Sequence, residues 1–133
     1  MVAASNDVAR DSRLGREFGY QVGAGKLIYR GSLVAITAAG VLQPAGQAGG
    51  VAIAGLAERK VDNTAGLAAT TGEPLRCRRG PWAFPQNDFT FADIGNLAYA
   101  VDDSTLSRDS SSGTRLKAGT LVGIEGGRAF VEI

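Results

Sequence analysis

The chain has 133 residues, enough for one domain with its own hydrophobic core and without a disulfide or a metal to hold it together. Its 14 basic and 13 acidic residues nearly cancel, so it lacks the basic surplus of a protein that follows several nucleic-acid phosphates. It has no histidine, which excludes Ser-His-Asp and Cys-His catalysis and histidine-ligated zinc.

Membrane insertion and export are not indicated by the sequence. A transmembrane helix needs a run of about 18 or more apolar residues, and no such run occurs. The first residues also lack the charged and then apolar pattern of a signal peptide. We therefore expect synthesis in the cytoplasm and no membrane partner.

The first 25 residues, "MVAASNDVARDSRLGREFGYQVGAG", carry scattered apolar residues interrupted by Gly15 and Gly19. Glycine inside a helical pattern weakens it, so the pattern predicts an extended arm over residues 1–25. Residues 26–133 then form a single domain. The arm's mixed charges suit contact with a polar partner surface, on which it would become ordered. A simply disordered terminus is the alternative.

The candidate partner-binding residues of the arm are arginines and aromatic residues, namely Arg10, Arg13, Arg16, Phe18 and Tyr20.

The stretch "VGAGKLIYRGSLVAI" resembles a phosphate-binding loop only superficially. Tyr20 stands where that motif needs its first glycine, and Leu27 replaces the hydroxyl residue that would bind magnesium. The residues that follow are β-branched and aromatic, which favours a strand over the required helix. We expect Gly23 and Gly25 to form a flexible joint between arm and domain, with Lys26 beginning the first strand.

Short apolar runs alternate with turns along the rest of the chain, and most of the 19 glycines lie between them. Each run is too short for a typical helix and is rich in residues that favour strands. The pattern predicts an all-β fold, a small β-barrel or β-sandwich built of short hairpins. The runs are "KLIYR", "SLVAIT", "VLQPA", "GVAIAGLAE", "EPLRCR", "NLAYAVD", "TLVGIE" and "RAFVEI".

Three segments share a strand, turn, strand pattern: "GSLVAITAAGVLQPA", "GTLVGIEGGRAFVEI" and, more loosely, "GNLAYAVDDSTLS". Asp102 and Asp103 fall in the turn of the third, where adjacent carboxylates act as solvated turn residues. Cys77 is expected to be a buried strand residue. We predict no catalytic residue, no cofactor and no metal site.

The segment "RRGPWAFPQNDFTFAD" combines arginines with four rings, Trp82, Phe84, Phe89 and Phe91. Its two prolines, Pro81 and Pro85, limit regular strand pairing. It is interpreted as an aromatic contact loop, because tryptophan and arginine are enriched at interface hot spots. Alternatively, its rings fill one end of the barrel. Its candidate partner-binding residues are Arg78, Arg79, Trp82 and Phe84.

From about Gly25 onward, the order of phrases resembles the small β-rich capsid cement, or head decoration, proteins of tailed bacteriophages. The phrases are "GAGKLIYRGSLVAITAAGVLQPA", "GGVAIAGLAE", "GEPLRCRRGPWAF", "GNLAYAVDDSTLS" and "GTLVGIEGGRAFVEI". The aromatic segment is longer than the resemblance leads one to expect, so its role is not carried over.

The resemblance implies a structural role on the outer surface of the virion. Such proteins bind the major capsid protein at subunit junctions of the expanded head, and many act as trimers. An extended arm could add a strand to the sheet edge of a partner, and trimeric attachment raises avidity. No enzymatic activity and no nucleic-acid partner are expected.

Two other functions compete with this interpretation. An oligonucleotide-binding β-barrel is suggested by "RCRRGPWAF", where arginines stand beside rings that could stack on bases, although the overall charge of +1 weighs against it. Another non-catalytic β-module, such as a carbohydrate-binding one, would use an exposed Trp82.

Overall fold

The computed structural model describes residues 17–133. This part of the chain forms twelve strands and one 3₁₀ turn. In chain order these are β1 (Glu17–Val22), β2 (Leu27–Ile28), β3 (Leu33–Thr37), β4 (Val41–Pro44), β5 (Gly50–Ala57), β6 (Val61–Asp62), β7 (Leu75–Arg78), β8 (Pro81–Pro85), the 3₁₀ turn (Phe91–Asp93), β9 (Leu97–Ala100), β10 (Leu106–Ser107), β11 (Lys117–Glu125) and β12 (Arg128–Glu132).

Five strands close into a barrel in the order β1-β4-β3-β5-β7. Strand β1 closes it, because it pairs in parallel with β4 and antiparallel with β7. The other neighbours are antiparallel, and β3 and β4 form a hairpin. Gly40 ends the hairpin turn at a φ of 80°, a backbone conformation that favours glycine.

A second, five-stranded sheet has the order β10-β9-β11-β12-β8, and β2 and β6 form a separate two-stranded ribbon. The turn between β11 and β12 contains Gly126 and Gly127 at φ values of 60° and 75°. Positive φ at both central residues gives the tight hairpin turn that matches the twist of the flanking strands.

Two hydrophobic cores share one wall, formed by β3 and β5. Leu33 and Ala35 of β3 pack into the core between the barrel and the second sheet, whereas Val34 packs inside the barrel. In β5, Ile53 and Ala54 divide in the same way. Because successive strand residues point to opposite faces, both faces of β3 and of β5 from Ile53 onward are buried, which explains their nearly continuous apolar sequences.

The all-β prediction is confirmed, and each of the apolar runs quoted above contains a strand. The three hairpins are also present, as β3 with β4, β9 with β10, and β11 with β12. Cys77 lies in β7 with no exposed surface, as expected. Of the two predicted architectures, the structure contains a closed barrel, and a second five-stranded sheet packs against it.

The predicted boundary between arm and domain at residue 25 is wrong. Glu17–Val22 belongs to the predicted arm, yet it is strand β1, with four residues paired to β7. Val22 is 1% exposed and part of the barrel core. Strand β1 was not predicted because its glycine and polar residues interrupt the run of apolar residues by which the other strands were recognised. Residues 1–16 of the arm lie outside the described residues.

The two glycines predicted to form a joint instead belong to a fixed turn between β1 and β2. The Gly23 N–H donates to the Leu42 carbonyl at 2.9 Å, and the Gly25 N–H donates to the Asn63 carbonyl at 3.0 Å. Gly23 is buried. These bonds tie the turn to β4 and to the segment after β6, so it is part of the barrel.

The position of β1 predicts a sharp difference between two truncations. Deleting residues 1–16 should leave the barrel folded, whereas deleting residues 1–22 should abolish cooperative unfolding, because β1 is the only described strand that bridges β4 and β7. Near-ultraviolet circular dichroism and thermal denaturation of both variants measure this. Equal unfolding midpoints for the two variants would contradict the role of β1.

Candidate protein-interaction surface

The candidate residues of the arm do not form one exposed group. Arg10, Arg13 and Arg16 lie outside the described residues. Phe18 and Tyr20 lie on β1, where both are partly buried, and Tyr20 packs against the barrel core. These two aromatic residues therefore belong to the barrel wall and not to an arm that extends from it.

The candidate arginines Arg78 and Arg79 both contact other groups of the protein, and so does Arg76 of the same strand as Arg78. Arg78 Nε lies 3.1 Å from a carboxylate oxygen of Glu17, and Arg76 lies 3.8 Å from the other oxygen. Exposed ion pairs of this kind contribute about 0–1 kcal/mol, so they align β1 with β7 without adding much stability. Arg79 instead donates to the main-chain carbonyl of Ile53 at 3.5 Å.

The prediction of an irregular aromatic loop after Arg79 is wrong for its first part. Pro81–Pro85 is strand β8, paired with β12 at all five of its residues. Strand β8 is the last strand of its sheet, so its two prolines occur on an edge strand, where a missing N–H is tolerated.

The rings of this segment have three different environments. Phe84 and Phe89 are 6% and 2% exposed and fill the core between barrel and second sheet, close to the alternative prediction that the rings fill an end of the barrel. Trp82 is partly buried against the same core, and its buried indole N–H has no acceptor among the described residues. Only Phe91 is largely exposed, at 75%.

Phe91 belongs to a set of exposed apolar side chains beside the 3₁₀ turn, which we call the apolar patch. Its other members are Ile94, Leu97 and Val122. Main-chain hydrogen bonds join the chain segments that carry them, since the Gly95 N–H donates to the Leu121 carbonyl at 2.8 Å and the Leu121 N–H donates to the Asn96 carbonyl at 2.9 Å. Contiguous exposed apolar side chains commonly mark a protein-interaction site.

A buried carboxylate fixes the turn that presents the apolar patch. One oxygen of Asp93 accepts from the Thr90 N–H at 2.8 Å and from its hydroxyl at 2.9 Å, and the other lies 3.4 Å from Arg108. The Thr90 N–H bond is the main reason that the pKa of Asp93 lies below its usual value, with smaller contributions from the Thr90 hydroxyl and Arg108. Asp93 therefore stays ionised and holds the turn.

The apolar patch was not predicted from the sequence, although a signal for the turn that carries Phe91 was present. A threonine followed three residues later by an acidic residue, as in Thr90 and Asp93, is typical of the start of a helical turn. Such a turn separates the directions of Phe89 and Phe91, one toward the core and one toward solvent. From the sequence alone, the four rings of this segment were expected to lie together in one loop or at one end of the barrel.

The other reactive groups serve the fold. Burial disfavours ionisation of Asp102, but hydrogen bonds from Ser104 and Thr105 outweigh this effect and lower its pKa. Asp102 thus stabilises the turn between β9 and β10, as predicted. Burial raises the pKa of the Cys77 thiol to about 12, so it is protonated at neutral pH.

The main-chain N–H groups near Lys26 are also occupied. Besides the bonds of Gly23 and Gly25, the Lys26 N–H donates to the Gly23 carbonyl at 3.3 Å, and Lys26 Nζ donates to Gln47 Oε1 at 2.7 Å. A phosphate-binding loop needs such groups unpaired and convergent.

Residues 17–133 contain no cluster of three potential metal ligands from histidine, cysteine, aspartate and glutamate. The same range has no helix of the length and apolarity that a bilayer crossing requires.

Comparisons with known proteins give no relative for this chain: no family model, no curated protein and no solved structure matches it.

The environment of Cys77 predicts an inert thiol. Because the thiolate is the reactive form and burial raises the pKa to about 12, modification by a disulfide reagent at pH 8 should be at least about 100-fold slower in the native protein than in guanidinium. Absorbance of the released thiol reports both rates. Comparable rates in the native and unfolded protein would contradict the buried position of Cys77.

Proposed function

We propose that this protein is a structural capsid decoration protein of a tailed bacteriophage, which binds the outer surface of the head at subunit junctions and stabilises the expanded capsid. The apolar patch is the observation that carries the proposal. Phe91, Ile94, Leu97 and Val122 are between 41% and 75% exposed, and main-chain hydrogen bonds of Gly95 and Asn96 tie the segment after the 3₁₀ turn to Leu121 of the second sheet. The order of hairpins that resembles the cement proteins gives the class of partner.

The patch has the character expected of the centre of an attachment surface. Its members are apolar and aromatic side chains, and the half-exposed Arg108 lies beside them through its ion pair with the buried Asp93. Stable interfaces combine an apolar centre with a polar rim in this way. Burial of a Phe or Val side chain contributes roughly 1.5–3 kcal/mol, so a few such contacts repeated over an assembly give firm attachment.

The fold supports a binding role more readily than a catalytic one. The Cys77 thiol is protonated and buried, while Asp93 and Asp102 are used as acceptors in turns. The main argument for the oligonucleotide-binding alternative is also weakened. The Phe84 ring is in the core, and Arg78 is paired with Glu17, so "RCRRGPWAF" does not offer an open surface of rings and unpaired arginines.

Attachment through the patch predicts a specific loss of capsid binding. On expanded heads from a phage that lacks this gene, wild-type protein should bind to saturation. Phe91→Ser combined with Val122→Ser should lower the apparent affinity at least tenfold, about 1.4 kcal/mol, because two apolar contacts are lost. Sedimentation of heads with bound protein measures occupancy.

The matched control is Tyr29→Ser, since Tyr29 is 54% exposed and lies just after β2, outside the apolar patch. It should bind like the wild type. Absence of wild-type binding at any concentration would refute the decoration role, whereas equal binding by the double variant would refute the patch as its contact surface.

We also propose that the protein acts as a homotrimer with the major capsid protein as its partner, on the basis of the same resemblance. Light scattering of the purified protein and reconstruction of the bound state should both give three copies per assembly unit. A monomer in both settings would remove the trimer from the proposal while leaving attachment to be judged by the occupancy measurement.

A further inference from the structure

The second sheet packs one face against the core and directs the other, which we call its outer face, away from the core. Burial separates the two faces on β8 and β12, since Phe84, Ala129 and Val131 are buried in the core. Because strand residues alternate between faces, the residues next to these point outward. They are Pro81, Ala83 and Pro85 on β8, and Arg128, Phe130 and Glu132 on β12.

The outward positions of β8 differ from those of a sheet face that is open to water. Such a face normally places polar residues between the buried apolar ones. The three outward residues of β8 are instead apolar and exposed, and the partly buried Phe130 pairs with Ala83 on the neighbouring strand. Leu97 and Val122 of the apolar patch extend this apolar surface onto β9 and β11. Contiguous exposed apolar residues commonly mark a protein contact.

The edge of β8 that faces away from β12 resists the addition of another strand. Gly80 exchanges two main-chain hydrogen bonds with Ile133, at 3.3 and 3.0 Å. Since hydrogen-bonded pairs alternate along antiparallel strands, the main-chain groups of Pro81, Ala83 and Pro85 point away from β12. Proline has no N–H, so Ala83 supplies the single donor among these three residues. A partner is therefore expected on the face of the sheet and not along this edge.

The charges of β12 make the outer face complementary to a second copy of itself. Arg128 and Glu132 stand at opposite ends of the outward row, and the guanidinium of Arg128 lies 5.5 Å from the centre of the Phe130 ring between them. Within residues 17–133 neither charge belongs to an ion pair. Strand β8 is symmetric about Ala83, with a proline on each side. A face with an apolar centre and opposite charges at its ends matches the same face turned end for end.

We propose that two copies of this chain stack their outer faces about a two-fold axis that crosses β12 at Phe130. The axis reverses the strand direction, so Arg128 of each copy lies over Glu132 of the other, and Ala83 lies over Ala83. A stack with parallel strands would instead place Arg128 over Arg128, which like-charge repulsion disfavours.

The charge at the end of β11 is compatible with this arrangement. Glu125 pairs with Arg128, and Thr120 pairs with Glu132, so both pairs form rows across the sheet. The same two-fold axis exchanges these rows and places Glu125 over Thr120. The stack consequently brings no carboxylate of β11 or β12 directly over another.

The inference stands on the outer face alone and does not depend on capsid attachment. A two-fold contact doubles whichever assembly unit the chain forms, so it is compatible with the proposed homotrimer. The stacked face includes part of the apolar patch, so a second copy and the capsid compete for it. Self-association therefore shields apolar surface from water in the free protein.

Exchange of the charges at the two ends of β12 tests the two-fold contact. The weight-average mass of the wild type, measured by sedimentation over a rising concentration series, should double. Arg128→Glu and Glu132→Arg, each alone, should raise the dissociation constant about tenfold or more, because each change creates two pairs of like charges. An equimolar mixture of the two variants should associate like the wild type, since each position then meets its opposite charge.

Both side chains are exposed, so near-ultraviolet circular dichroism should show an unchanged fold in each variant. Recovery in the mixture is specific to a two-fold contact, because a contact between two different surfaces does not bring position 128 to position 132. A wild type of constant mass, single variants that associate like the wild type, or a mixture that fails to recover would each overturn the proposal.

A substitution at the centre of the face gives an independent test. Ala83→Glu places two carboxylates against each other in an apolar contact and should abolish the doubling of mass. The matched control is Ala65→Glu, since Ala65 is also exposed and lies in the loop after β6, outside the outer face; it should associate like the wild type. Retained self-association of Ala83→Glu would overturn the proposal, and if its occupancy on heads were lost as well, the face would be assigned to the capsid.

Discussion

The wall of β3 and β5, buried on both faces, is the constraint on which the rest of the structure depends. Leu33 and Ala35 face the second sheet while Val34 faces the inside of the barrel, and each is at most 1% exposed. The two β units therefore cannot separate without exposing these strands to water, and burial of apolar area is the dominant favourable contribution to folding. The apolar patch on the second sheet consequently has a fixed position relative to the barrel.

One close approach limits what this wall can contain. A Cβ atom at Gly55 would lie 2.6 Å from the Arg78 carbonyl, and its φ is 139°. Glycine at this point allows β7 to come against β5 for two residues before the chain leaves for β8. The same departure leaves the first residues of β5 without a described partner strand on that side, and Val51 is exposed there.

Local patterns were sufficient to predict the hairpins and the all-β class, because strand and turn preferences act between neighbouring residues. They were not sufficient for β1 or β8. Strand β1 is held by distant pairing with β7, and its sequence, "EFGYQV", is not a continuous apolar run. The two prolines of β8 indicated an irregular loop, but β8 lies at the edge of its sheet, where proline is tolerated. The apolar patch likewise requires knowing that the turn after Thr90 directs Phe91 outward, which depends on the buried position of Asp93.

The proposed attachment role rests on a resemblance in the order of hairpins and on the apolar patch, a surface feature that only the fold shows. The described residues form a closed barrel and a second sheet that share one hydrophobic core, and they expose the apolar patch, which we propose as the binding side. The most direct measurement is a reconstruction of expanded phage heads carrying this protein. The account predicts density at capsid subunit junctions with Phe91 and Val122 buried against the major capsid protein. Density in which these residues face solvent, or no bound density at saturating concentration, would contradict it.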